Sequence, residues 1–410
     1  MMVEIITIGD ELLLGQTADT NAAFLGRRLA EMGLEPLWRT TVGDHPKRIG
    51  QALSLALQRA DLILITGGLG PTEDDVTRSA LAQALGRRLI LEQRVLQRIQ
   101  ERLKKNGQRL HSKLESLALL PQGAKVLDNP VGTAPGLRLE KNGKSLYILP
   151  GVPQEMRAIF EQQIAVALGN TAAERVVRRR RLRTVGIGES ALSERLRRIS
   201  REGIRLAYLP GPCNVDLWLT ARSNRAKEAQ ALLSRATQQI EERLEDQIYG
   251  VDNDTMERVV ATLLIMKRVT IALAESCTGG LLADRLTDVP GSSAYLERGV
   301  VAYSNRAKRE ILKVPRRILD RHGAVSQEVA IAMAEGVRKI SGTDLGLSTT
   351  GIAGPTGATA EKPIGLAFVG LAHHEGSCAQ RFVFGQDRRT NKECCVMAAL
   401  NLIRKHLLKL

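Results

Sequence analysis

Apolar residues along this chain fall into two rhythms that alternate. Short apolar or β-branched runs, among them Val3–Ile8, Asp61–Thr66, Ser145–Leu149, Val269–Leu273 and Leu345–Thr350, read as strands covered on both faces. Between them lie stretches with apolar positions at helical spacing. Thr20–Met32 carries Ala23, Phe24, Leu25, Leu29 and Ala30 on such a spacing, and Gly33 is a natural stop. Leu37–Val42 predicts a second strand and Pro46–Ala60 and Arg78–Leu85 further helices, while Leu89–Lys104 reads as a polar peripheral helix. Strand–helix alternation with short connections predicts an α/β, doubly wound N-terminal domain, with ligands at the carboxyl ends of its strands.

The rhythm changes after Arg183. Strands at Leu182–Val185, Arg205–Leu209 and Val215–Thr220, with helices at Ser190–Ile199 and Ala226–Leu244, predict a small α+β unit. From Thr255 a second α/β layered domain begins. Its helices are expected at Thr255–Lys267, Leu281–Leu286, Ala307–Lys313, Val329–Ile340 and Asn391–His406, and further strands at Gly299–Ser304 and Ile364–Ala372. The expected domains are therefore 1–170, 171–250 and 251–410.

Composition narrows the class. At 410 residues the chain exceeds one ordinary core. Aromatics make up only 3%, so the cores must rest on Leu, Ile, Val and Ala. No apolar run approaches the roughly 20 residues that span a bilayer, and the N-terminus has no signal-peptide layout, so a cytoplasmic protein with no membrane partner is expected. The five Cys (Cys213, Cys277, Cys378, Cys394, Cys395) form no CxxC pair, which predicts reduced thiols and no zinc site. A net charge of +15 suits phosphorylated small substrates or nucleic acid. The densest basic run, Arg175–Arg183, has no interleaved aromatics and reads as a solvated strand edge or linker, which makes nucleic acid an unlikely partner.

Candidate chemistry in the first domain lies at two strand ends. Asp10-Glu11 follows the first strand, and Asp74-Asp75 follows the Gly-rich turn Gly67-Gly68-Leu69-Gly70-Pro71-Thr72. Carboxylates are the oxygen ligands a divalent ion prefers, and a glycine turn lets backbone amides approach a phosphate. Asp74 or Asp75 could equally cap the helix that follows. Glu155, after the turn Pro150-Gly151-Val152-Pro153, either adds a third carboxylate or only favours a helix start.

In the last domain the turn Glu275-Ser276-Cys277-Thr278-Gly279-Gly280 joins a strand end to a helix start, where hydroxyls and free amides could stabilise an oxyanion. Pro290–Leu296, Val300–Lys308 and Ser348–Gly357 add serines, a tyrosine, a lysine and threonines on further turns. No histidine sits in these turns, so a serine there needs another base. A buried lysine can serve, and Lys308 follows a strand end, although a solvated helix lysine is its ordinary alternative. Cys277 reads as a small buried residue, with nucleophile as the sharper alternative.

Taken together, GDELLLGQTADTN, GGLGPTEDDVT and PGVPQEM resemble the molybdopterin-binding-like domain of the competence/damage-inducible CinA family. The segment after Arg183 resembles that family's KH-like domain, although Gly186-Ile187-Gly188 is not the GXXG clamp of RNA-binding KH domains. AESCTGG, PGSSAYL, GVVAYSNRAK, HGAVSQEVA and TGIAGP resemble the family's C-terminal domain, which includes the nicotinamide-nucleotide amidases. The resemblance implies small nucleotide substrates and a homodimer. In the N-terminal domain it implies ADP-ribose hydrolysis with a divalent ion of Mg or Co type. Asp10, Glu11, Asp74, Asp75 and Glu155 would be the metal groups, and Gly67, Gly68, Gly70 and Thr72 would line the substrate.

In the C-terminal domain the resemblance implies deamidation of nicotinamide mononucleotide without a cofactor. Ser293 and Ser276 would be the hydroxyls at the amide, with Ser293 favoured as nucleophile. Lys308 and Tyr303 would be base and proton relay. Thr350, Gly351, Gly354, Thr278, Gly279 and Gly280 would hold ligand or oxyanion, and Arg388 the phosphate. Two departures from the family pattern stand out: Gly354–Pro363 reads GPTGATAEKP, and Lys392 replaces a second arginine. Two other classes compete: a non-catalytic pterin- or nucleotide-binding protein, and a nucleic-acid-associated protein acting through Arg178–Arg183.

Overall fold

A computed structural model describes residues 1–105, 112–169, 176–199 and 202–410. The chain divides into two compact units, Met1–Arg178 with Arg222–Ala229, and Arg179–Ala221 with Gln230–Leu410. The expected boundary at 170/171 falls outside the described residues. No helix among the described residues is long and apolar enough to cross a membrane.

The first unit holds the strands β1 (Val3–Ile8), β2 (Pro36–Val42), β3 (Leu62–Thr66), β4 (Leu89–Leu91), β5 (Leu119–Pro121), β6 (Lys125–Leu127), β7 (Gly136–Lys141) and β8 (Lys144–Leu149). Its main sheet runs β2-β1-β3-β8-β7-β6. The first four strands are parallel, and β7 and β6 add an antiparallel edge. Continuous apolar runs make sense here because both faces are covered. Ile6, Ile8, Ile63, Ile65, Leu146 and Ile148 point into one core, and Val3, Ile5, Leu62, Leu64, Tyr147 and Leu149 into the other. Each such side chain contributes about 1.5–3 kcal/mol by leaving water. The one carboxylate in β1, Glu4, is fully buried and is held by Arg59 at 2.7 Å and Thr40 at 2.7 Å. The polar stretch from Leu89 opens not as helix but as β4, paired with β5, before the helix Gln93–Lys105. A three-residue exposed strand has no period long enough to separate it from a helix start.

The second unit contains a four-stranded sheet and a five-stranded one. The former, in order β10-β11-β9-β12, comprises β9 (Val176–Thr184), β10 (Ile204–Pro210), β11 (Val215–Ser223) and β12 (Ile248–Val251). The basic run is therefore neither linker nor sheet edge: β9 is an inner strand. Its arginines are accommodated because Arg181 and Arg183 converge on the buried carboxylate of Asp216, and Arg183 also lies over the Tyr249 ring. Arg175 of that run lies outside the described residues.

The five-stranded sheet, β14-β13-β15-β16-β17, comprises β13 (Ile271–Glu275), β14 (Leu296–Val301), β15 (Leu345–Gly351), β16 (Leu366–His373) and β17 (Gly376–Val383). Strands β14, β13 and β15 are parallel and the last two antiparallel. Along β13, Ile271 and Leu273 enter one core while Ala272 and Ala274 enter the other. The alanines leave room for the helix Gln327–Ser341 on that side.

The thiol expectation is corrected. Cys213, in the β10–β11 turn, is bonded to Cys394 in the helix Arg388–Leu407, 181 residues away. Such a pair has no spacing signature, because only the fold brings its two elements together. Cys277 and Cys395 are free and buried, and Cys378 is free and exposed.

Glycine turns at the strand ends carry a measurable constraint. Gly67 has φ +117°, and a Cβ there would lie 2.1 Å from the Ile8 carbonyl oxygen. Gly143, in the β7–β8 hairpin with φ +76°, would meet nothing within 4 Å. Gly67→Ala is therefore expected to cost on the order of 3 kcal/mol, and Gly143→Ala about 1 kcal/mol, by urea denaturation. Equal costs at the two positions would contradict the close approach at Ile8.

Candidate active sites at the strand ends

In the C-terminal domain β13 delivers Ser276 to the sheet's carboxyl edge, where its N–H donates to the Thr349 carbonyl on β15 at 2.9 Å. Beside it starts the helix Asn305–Glu310, capped by Ser304, whose hydroxyl accepts from the Ala307 N–H. That helix turns Lys308 inward until only 1% of it is exposed. The Lys308 Nζ donates to Ser276 Oγ at 2.9 Å, to the Ala302 carbonyl at 2.9 Å and to the Tyr303 carbonyl at 3.3 Å. Burial pushes the amine below its ordinary lysine value, and the nearby Cys277 thiol opposes this. The pair is thus a hydroxyl in direct contact with an amine biased toward its neutral, basic form.

The other expected residues divide by what they touch. Ser293 stands on an exposed turn, Ser292–Ala294, after Gly291 with φ 86°, and is not among the partners of Lys308. Tyr303 is 61% exposed, and its Oη accepts from Arg388 at 3.2 Å. Arg388 also donates to the Gly354 carbonyl at 2.7 Å. A cleft of about 620 Å³ opens there, lined by Gly354, Pro355, Ile364, Gln386, Asp387, Arg388, Arg389 and Lys392. The Lys392 amine reaches toward the glycine turn, 3.6 Å from where a Cβ of Gly279 would stand.

Thr350 is 1% exposed, and its hydroxyl donates to the Ala324 carbonyl at 2.7 Å. Gly351 lies where a Cβ would come within 2.6 Å of the Leu366 carbonyl oxygen. Both residues serve the local packing and are not among those lining the cleft.

One expectation about this turn is overturned. The amides at the start of the helix Leu281–Thr287 are not free for an oxyanion. The buried carboxylate of Glu275 accepts from Gly280 and Leu282 at 3.0 Å and from Ala283 at 2.9 Å. Gly279 donates to the Ser276 carbonyl, and Thr278 Oγ1 shares a hydrogen bond with Thr349 Oγ1 at 2.7 Å. Thr278, Gly279 and Gly280 therefore build the turn that fixes Ser276. Sequence reasoning missed Glu275 in this role, although an acid closing an apolar strand was the available signal. It also missed Asn391, 3% exposed, whose side-chain amide donates to the Ala353 carbonyl at 3.0 Å and the Gln386 carbonyl at 2.7 Å.

In the N-terminal domain the Gly-rich turn is clamped from within. Asp75 accepts from the Gly70 N–H at 2.7 Å and the Thr72 N–H at 2.8 Å, and Arg78, itself buried, donates to the Leu69 and Gly70 carbonyls. Thr77 Oγ1 donates to the Gly67 carbonyl at 2.9 Å, over Gly68. Glu155 is bound to Asn129 at 2.6 Å and folds over Gly132. The five expected metal groups therefore do not gather at one point, and among the described residues no group of three or more His, Cys, Asp or Glu fits a metal ion. Asp75 and Glu155 are held by loop-building hydrogen bonds instead.

A different acid joins Asp10. Asp44, after β2, accepts from the Asp10 N–H at 3.0 Å, and its own N–H donates to Asp10 Oδ1 at 3.3 Å. Burial raises the Asp44 carboxyl, and the charges of Asp10, Glu11 and Asp74 raise it further. Nearby, Asn21 donates to Thr66 Oγ1 at 3.2 Å and to the Gly151 carbonyl at 2.7 Å. It lines a crevice of about 130 Å³ with Glu11, Thr17, Gly67 and Gly151. A wider cleft of about 690 Å³ beside Arg98 and Arg102 carries no comparable chemistry, because those arginines are engaged by Asp128 and by loop carbonyls.

Comparison with known proteins assigns three domain families along the chain. Residues 4–170 match the family described as "Probable molybdopterin binding domain", residues 179–250 the "Damage-inducible protein CinA KH domain", and residues 253–407 the "CinA C-terminal domain". A CinA-like protein of Salinibacter ruber is 44% identical over 411 residues, covering 99% of this chain and 100% of that protein. A CinA-like protein of Dictyoglomus thermophilum is 40% identical over 412 residues, covering 100% of both. A solved structure of the protein CinA from Thermoplasma acidophilum is 38% identical, covers 42% of this chain and 98% of that one, and has a TM-score of 0.38. With full-length relatives at this identity and its three domains in this order, the chain belongs to the CinA family.

Proposed function

We propose that the C-terminal domain is an amidase that converts nicotinamide mononucleotide and water to nicotinate mononucleotide and ammonia. The observation that carries this reading is the contact between the buried Lys308 amine and Ser276 Oγ at 2.9 Å. Neutral Lys308 takes the Ser276 proton as the oxygen attacks the carboxamide carbon. The resulting ammonium side chain returns that proton to the departing ammonia. Water then attacks the acyl ester and loses its proton to Lys308, which passes it to Ser276 Oγ as the ester bond breaks and nicotinate mononucleotide leaves. Arg388 and Lys392 place two cations at the cleft for the substrate phosphate. Ser276 rather than Ser293 is assigned as nucleophile because it is the hydroxyl in contact with the base. Ser293 becomes the exposed second hydroxyl. The protein is expected to act in the cytoplasm as a homodimer.

For the N-terminal domain we infer ADP-ribose hydrolysis on narrower ground: the hydrogen-bonded pair Asp10 and Asp44, whose Asp44 carboxyl is raised by burial and then by the charges of Asp10, Glu11 and Asp74. The residues present form no ready-made metal centre. A divalent ion arriving with a pyrophosphate needs only one or two protein carboxylates, which this group can supply.

Lys308→Ala should lower kcat/KM for the nucleotide by about a thousandfold. Wild-type activity should rise with pH through an acid limb below the ordinary lysine value, because burial favours the neutral amine that acts as base. An unchanged rate in the variant, or a limb at the ordinary lysine value, would contradict the assignment. Mapping of an acyl adduct should place it on Ser276; an adduct on Ser293 would make Ser276 a proton relay. Asp44→Asn should remove EDTA-sensitive ADP-ribose hydrolysis and leave deamidation intact. Hydrolysis indifferent to both treatments would end the N-terminal reading.

A further inference from the structure

We propose that the Cys213–Cys394 bond is a redox-operated tether that holds the anion-facing wall of the C-terminal cleft in place. The bond joins two elements that otherwise belong to different sheets' surroundings. Cys213 is half-buried in the tight turn Gly211–Asn214, closed by the Gly211 N–H on the Asn214 carbonyl at 2.7 Å. Cys394 is 4% exposed and lies within the helix Arg388–Leu407.

The position of Cys394 on that helix decides what the tether acts on. In the turns before it, Arg388 and Asn391 grip the carbonyls of Gly354 and Ala353, and Lys392 faces the glycine turn of Ser276. The next residue, Cys395, packs in the same core as Cys277, the neighbour of Ser276. The far end of the helix has its own anchor on the same middle domain. There Arg404 donates to the Asp246 and Ile248 carbonyls, and Lys405 pairs with Asp246 at 2.7 Å. One anchor is therefore covalent and reducible, and the other is polar and indifferent to reductant.

Opening the tether is a balanced exchange. A dithiol reductant supplies two electrons and two protons, the S–S bond breaks, Cys213 and Cys394 become thiols, and the reductant leaves as its own disulfide. The half of the helix bearing Arg388, Asn391 and Lys392 then loses its covalent hold. Its grip on a substrate phosphate weakens, while the Lys308–Ser276 pair, which stands on other elements, stays as it is. The effect on substrate rests on the amidase reading; the tether itself does not.

The test compares the full-length protein oxidised and after dithiothreitol, with Cys213→Ser and Cys378→Ser beside it. Alkylation of the unreduced protein unfolded in denaturant, where the buried Cys277 and Cys395 also become accessible, should leave two cysteines protected. Hydrogen exchange should quicken roughly tenfold or more in residues 388–397 on reduction, and little in 398–407. Cys213→Ser should show the fast pattern without reductant and no response to it, whereas Cys378→Ser should behave as wild type. KM for nicotinamide mononucleotide should rise several-fold on reduction with kcat changed less. Five alkylated thiols in the oxidised protein, or equal exchange in both states, would overturn the tether. An unchanged KM would overturn its hold on the cleft. Altered exchange with no ammonia release in either state would leave the tether standing and overturn the amidase reading instead.

Discussion

The arrangement depends on one buried amine. Lys308 is placed where water cannot solvate an ammonium, and its three hydrogen-bond partners are one serine hydroxyl and two backbone carbonyls. Among the described residues no carboxylate pairs with it, and burial pushes it toward the uncharged form. That choice constrains everything around it. The strand β13 must end where it does to present Ser276, and the chain after β14 must turn its carbonyls at Ala302 and Tyr303 inward. The short helix carrying Lys308 needs its Ser304 cap to start on time.

Glu275 shows how such a turn is held without interfering with the chemistry. Its carboxylate is one residue from Ser276, yet its oxygens are engaged by three amides of the following helix. Its charge is taken up by the helix start, and the groups that bias Lys308 are its burial and Cys277. The N-terminal strand ends follow the opposite policy. Asp10, Glu11, Asp44 and Asp74 leave like charges near one another, and burial together with those charges raises Asp44. One half of the chain presents a buried amine and cations, and the other presents clustered acids.

The fold was legible wherever a period repeated. Val3–Ile8, Asp61–Thr66 and Val269–Leu273 announced themselves because both faces of those strands are buried. Strands β4 and β17 did not, since one has three residues and the other opens on four small residues and carries no apolar period. Motifs brought Ser276, Lys308, Tyr303, Arg388 and Gly354 into one neighbourhood, but they could not order the serines. That distinction depends on where a helix aims a lysine. Asp44 was missed because its partner is 34 residues away in sequence, and Cys213 because its partner is 181 away. Asp75 and Glu155 looked like ligands because a carboxylate that holds a loop and one that holds a metal have the same letters.

On the proposed reading, the Lys308–Ser276 pair performs an amide hydrolysis. The most direct measurement is ammonia release from nicotinamide mononucleotide by the intact chain, in EDTA, beside folded Ser276→Ala. Release that persists in EDTA and disappears in the variant is the predicted result. No release from folded wild-type protein, or undiminished release from Ser276→Ala, would contradict the account.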